Sequence, residues 1–114
     1  MPKGVYTDIG LVAFKNVNTS APIDAFSGRD AGVTGRPQTD SVTTTHNRDM
    51  VVAVFVGFDY GDWSAAPGMN ALYDYDSNVA EAAIQDHAGP TGARYTQSST
   101  STASSAQIVA VRAK

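Results

Sequence analysis

The sequence predicts an all-β fold, an antiparallel β-sandwich of jelly-roll-like form with about seven strands. Three observations carry that prediction. Short β-branched and aromatic runs recur along the chain, the clearest being Met50-Val51-Val52-Ala53-Val54-Phe55-Val56. Gly, Pro, Asn and Asp turn signals separate these runs at intervals of roughly ten residues. Composition points the same way: 17% of residues are charged and much of the 42% hydrophobic share is Ala and Val rather than Leu, a balance poor for helix bundles. A length of 114 residues suits a single domain, residues 1–114, with a modest core.

The first expected strand is Gly4 to Val17. Ile9, Leu11 and Ala13 alternate there against Val12 and Phe14, so both faces are apolar and a strand covered on both sides is predicted. Asn18 to Asp40, punctuated by Pro22, Gly32, Gly35 and Pro37, reads as a loop with at most a short pairing at Ile23 to Phe26. Ser41 to Thr45 is a Thr-rich strand, and His46-Asn47-Arg48-Asp49 is a turn. Met50 to Phe58 is the central strand, covered on both faces, which places Val54 in the core.

Asp59-Tyr60-Gly61-Asp62 closes that strand, and Trp63 to Gly68 is an irregular connection ending in the Pro67-Gly68 turn. Met69 to Asp76 puts Met69, Ala71, Tyr73 and Tyr75 on one side, with Leu72 on the other. Val79 to His87 carries two signals. Ala80-Glu81-Ala82-Ala83 favours a helix that Asn78 and Glu81 could cap, whereas alternation with Ala80, Ala82 and Ile84 inward favours a strand. A strand is expected, because tertiary context overrides propensity in short segments. After the Gly89-Pro90-Thr91-Gly92 turn, Ala93 to Ser99 and Ala106 to Ala113 are the last strands, joined across a Ser/Thr tract.

Several classes of function are disfavoured. With net charge −3 and a pI near 5.0 the chain has no basic footprint for nucleic acid. Without cysteine there is no disulfide, thiolate metal site or cysteine nucleophile. No apolar run approaches a membrane span, and Met1-Pro2-Lys3-Gly4 opens no signal-peptide core. No catalytic residue is assigned. His46 and His87 lie apart beside turns, and neither a Gly-x-Ser-x-Gly elbow nor a His-Glu-x-x-His motif occurs. Glu81 is the sole glutamate, with Asp86 five residues on, whereas a glycosidase needs two carboxyls across a cleft. The glycines at 28, 32 and 35 lack the Gly-Lys-Ser/Thr ending of a phosphate loop.

Two groups of residues are candidates for binding. Tyr60, Trp63, Tyr73 and Tyr75 offer aromatic faces on which sugar rings stack; the alternative is that Trp63 plugs one end of the sandwich and the tyrosines cover its rim. Asp59, Asp62, Asp74 and Asp76 sit near two turns, and several loop carboxylates are what a calcium ion requires. No Asp-x-Asp-x-Asp-Gly loop is present, and the alternative is that these aspartates only solvate turns.

A set of short segments carries a family resemblance. They are Gly10-Leu11-Val12-Ala13-Phe14-Lys15-Asn16-Val17, Ser20-Ala21-Pro22-Ile23-Asp24, Ser41-Val42-Thr43-Thr44-Thr45, Asp49-Met50-Val51-Val52-Ala53, Trp63-Ser64-Ala65-Ala66-Pro67-Gly68-Met69, Gly92-Ala93-Arg94-Tyr95-Thr96 and Ile108-Val109-Ala110-Val111-Arg112. In this order they resemble the later half of a concanavalin-like or jelly-roll β-sandwich module of bacterial secreted and phage structural proteins. The resemblance implies a non-catalytic structural or self-assembling module, in a virion or an extracellular assembly. It also implies that either the fold closes differently or missing strands come from another copy or another protein. A homo-oligomer or a subunit of a larger assembly is therefore expected, with no nucleic-acid or membrane partner. A carbohydrate-binding, lectin-like module with a glycan ligand is the alternative, and a small hydrolase of unrecognised type the remote one.

Overall fold

The computed structural model describes residues 10–57, 62–75 and 77–114. They form an all-β, sandwich-like fold with nine strands: β1 (Ile23–Thr34), β2 (Thr43–Thr44), β3 (Asp49–Gly57), β4 (Trp63–Ala65), β5 (Asn70–Tyr75), β6 (Asn78–Gln85), β7 (Gly89–Pro90), β8 (Thr96–Ser98) and β9 (Thr102–Val111). Five of them build one antiparallel sheet in the order β1-β9-β3-β6-β5. Two short ribbons, β2-β7 and β4-β8, accompany it.

The Val-rich run is the middle strand of the sheet, as its continuous β-branched composition predicts. Val79 to His87 forms a strand rather than a helix: Asn78–Gln85 pairs with β3 along its length. Small alanines at 80, 82 and 83 let a covering layer approach both faces there, and the cross-strand pairing outweighs their helix propensity.

Two segments depart from expectation. In Gly10–Val17, the described part of the expected first strand, only Val17 pairs, in an isolated bridge to Ala113. The segment is instead a strap along the sheet. Gly10 lies against the Tyr73 ring, so closely that a Cβ at this position would overlap it, and Leu11 is 93% exposed. Conversely, the expected loop contains β1, a 12-residue edge strand on β9. Gly28, Gly32, Arg29 and Asp30 hide it from pattern reading, but an edge strand tolerates glycine and charge, and bulges at residues 24 and 31 absorb the irregularity. The Ser/Thr tract also contributes strand: Thr102 and Ser104 continue the buried set Ala106, Ile108 and Ala110 along β9.

The two faces of the sheet differ. Val51, Ala53 and Phe55 of β3, Val79 of β6 and Ala106 of β9 point to the inner face and are at most 1% exposed. Trp63, Ala66 and Met69 cover them, with Tyr95 packed alongside. Gly57 matters at this end. A Cβ there would sit 2.7 Å from the Thr102 methyl and 3.4 Å from the Trp63 ring, so glycine lets the indole close over the strand.

The covering layer is too short-stranded to pair all its backbone, and buried threonines complete it. Thr96 Oγ1 donates to Ser64 O (3.0 Å), and Thr39 Oγ1 accepts from Arg94 N (3.0 Å). Thr44 Oγ1 accepts from Gln85 Nε2 (2.9 Å) and Gly89 N (3.2 Å). The Thr-rich composition thus supplies hydrogen bonds that a second full sheet would otherwise make.

Candidate functional site

Tyr60, Asp59 and Asp76 lie outside the described residues. Trp63 is 7% exposed within the core cluster. Tyr73 and Tyr75 pair with Ala80 and Asn78, which in turn pair with Val54 and Val56. Directly paired residues share a face, so both tyrosines lie on the outer side while Trp63 packs on the inner side. The sheet therefore separates the tryptophan from these tyrosines. Asp62 and Asp74 are exposed, and among the described residues no group of three or more His, Asp or Glu is placed to hold a metal ion. His87 is exposed beside a turn, as expected, whereas His46 is drawn into a polar cluster.

Among the described residues the outer face is largely apolar and uncovered over β1, β9 and β3, with Ser105 and Gln107 of β9 between the apolar side chains. Phe26 is 77% exposed, Val33 76% and Val56 45%, and Val54 and Val109 are half-buried. Val54 is thus not in the core, contrary to the reading of β3 as covered on both sides. Its neighbours Ala53 and Phe55, on the other face, are fully buried. Among the described residues the outer face is covered toward β6, where Val52 and Ala82 are buried. Two shallow hollows of about 580 and 310 Å³ mark the open region, the first beside Val56 and Gly28 and the second beside Phe26, Val54 and Val109. Asp30, opposite Ser105, places a charge on this side, and Arg29 also lines the first hollow.

Two buried carboxyl sites were not legible as such in the sequence. At the first, the bulge at Asp24 re-aims its side chain toward the His46 turn. Asp24 accepts hydrogen bonds from Thr45 N and Thr45 Oγ1 (both 2.5 Å), His46 N (3.3 Å) and His46 Nδ1 (3.0 Å). Burial works to raise its pKa, but the Thr45, Asp49 and His46 hydrogen bonds outweigh it and hold the carboxyl well below the usual range. Asp49 lies beside it, fully buried. Burial, and then the Asp24 carboxylate, push its pKa up. The Ala113 amide and His46 pull the other way without reversing the shift.

The second site is Glu81, fully buried on the inner face opposite Ala53. Burial raises its pKa to about 7, against the opposing pull of the Ala66 amide and the Arg94 guanidinium. Among the described residues no well-formed hydrogen bond reaches either carboxyl oxygen or Arg94 Nε, while Arg94 Nη1 donates to Met69 Sδ at 3.3 Å. Asp49 and Glu81 project from strand positions four residues apart in register, roughly 13 Å along the sheet. That spacing exceeds what two cooperating carboxyls of a hydrolase require. Comparison with family models, with curated proteins and with solved structures returned no match.

Proposed function

We propose that the chain is a non-catalytic structural module that assembles with copies of itself through the open outer face of its sheet, as a component of a virion or an extracellular assembly. The observation that carries this reading is the apolar stripe Phe26, Val33, Val54, Val56 and Val109, over which no described residue packs. Solvated apolar area of this extent marks an interaction surface. A second copy is the fitting occupant. The stripe is nearly free of charge, so it selects a partner by shape and apolarity, and a two-fold pairing sets like against like. Three strands at a spacing of about 4.8 Å and a length of roughly 33 Å give a patch of about 500 Å² per copy, near the lower limit for a specific interface. The resemblance to half of a larger sandwich module supports the same completion of the fold by another copy. A lectin-like role has less support, because Trp63 is withdrawn into the core.

Light scattering at micromolar concentration tests the proposal. The expected mass is at least twice the 11.9 kDa of one chain. The doubly substituted Phe26→Lys, Val56→Lys chain should run as a folded monomer. A parent chain that is itself a folded monomer, or a variant that keeps the parent's mass, overturns the assignment.

A further inference from the structure

A separate concavity opens at the far end of the outer face, between the strap and the start of β3. It encloses about 590 Å³. Its floor is apolar, made by Met50, Ile84 and Val111, with Phe14 and Val17 of the strap beside them. Its rim is cationic: Lys15, Arg48, Arg112 and Lys114 line it, four of the eight Lys and Arg in a chain whose net charge is −3. No Asp or Glu side chain among the described residues lines it, although the Asp24 carboxylate lies behind His46 and Lys114 brings its own α-carboxylate, and none of the four cations joins a side-chain ion pair among the described residues. Such a concentration of cationic side chains favours an anion.

The walls are held in place by the backbone. Val17 bridges to Ala113, Asn18 N donates to Arg112 O (3.0 Å) and Lys114 N donates to Asn16 O (2.8 Å). Arg48 has a left-handed backbone with φ 64°, a conformation uncommon for a side chain of this size. His46 also lines the cleft. Its Nδ1 lies 3.0 Å from Asp24 Oδ1, which leaves Nε2 as the ring nitrogen open to a ligand.

We propose that this cleft binds an amphipathic organic anion. The apolar body rests on Met50, Ile84 and Val111, and the acid group meets the Lys15, Arg48 and Lys114 rim. A bare inorganic anion would leave the floor unused, and a neutral hydrocarbon would leave the cations unmatched. This site is distinct from the assembly stripe, whose residues Phe26, Val54 and Val56 do not line it.

The test is a titration of the 114-residue, ¹⁵N-labelled chain with decanoate, 1-decanol and inorganic phosphate in parallel, read by amide shifts. Decanoate should give saturable shifts at Arg48, Ile84, Val111 and Lys114, and bind at least about ten-fold more tightly than the other two. The double variant Arg48→Gly, Lys114→Gln should lose about ten-fold in decanoate affinity with its melting temperature retained, because both side chains are exposed and glycine suits the backbone at residue 48. Equal binding of 1-decanol or of phosphate overturns the proposal, as do decanoate shifts centred on Phe26 and Val56 or an unchanged affinity in the double variant.

Discussion

Glu81→Gln should make the protein more stable above neutral pH while leaving it little changed in acid. Glu81 is fully buried and its pKa is raised from 4.5 to about 7. A carboxyl with a raised folded-state pKa binds more protons in the native than in the unfolded chain between those two values. Stability therefore falls as pH rises through that window and is lowest, for this group, above it. Each pH unit is worth about 1.4 kcal/mol, so the full loss is roughly 3 kcal/mol, a large part of a typical small-domain stability. Glutamine keeps the shape and carries no charge to desolvate. The difference in urea-unfolding free energy between variant and parent should thus be near zero at pH 4.5, grow in favour of the variant up to about pH 7, and level off beyond it. Working with the difference removes the Asp24 and Asp49 contributions common to both chains. A difference that does not depend on pH would show that Arg94 fully compensates the Glu81 charge and would refute the reasoning.

Other expectations follow from the same packing. Gly57→Ala should cost about 1–3 kcal/mol in chemical denaturation, because the added methyl meets both Thr102 and Trp63; an unchanged midpoint would mean that the indole does not seal this end. Phe55→Asp should abolish folding as judged by circular dichroism, whereas Val54→Asp, on the half-open face, should cost only about 1–3 kcal/mol and remain folded. Asp24→Ala should cost about 2–4 kcal/mol near neutral pH, since it orphans four donors of Thr45 and His46. As the Asp24 pKa is depressed below 3.8, the stability it contributes is present above that pH and lost below it, so parent and Asp24→Ala should converge in acid. The same variant should lower the carbon-detected NMR pKa of Asp49, whose neighbouring negative charge it removes.

Much of the sheet was readable in order along the chain. The β-branched run of β3 and the closing Ala106–Val111 stretch show as strands in their residues. β6 shows as a strand but not in its facing: Val79 and Glu81 turn to the core, rather than Ala80, Ala82 and Ile84 as expected, and Ile84 is 49% exposed. The all-β class and the lack of cysteine chemistry were readable too. What covers each face is not a local property. Alternation says that Val54 and Phe55 point to opposite sides, but only the fold decides that Trp63 and Met69 close over Phe55 while Val54 stays half-open. β1 exists because β9 offers it a long edge, which residues 23–34 alone do not reveal. The site chemistry is the least local of all. Asp49 is pushed up by burial and by the neighbouring Asp24, and burial raises Glu81 to about 7, because strands distant in sequence bring a second charge or exclude water. Local residues determine strand period and turn chemistry, whereas burial and charge proximity depend on partners that only tertiary packing selects.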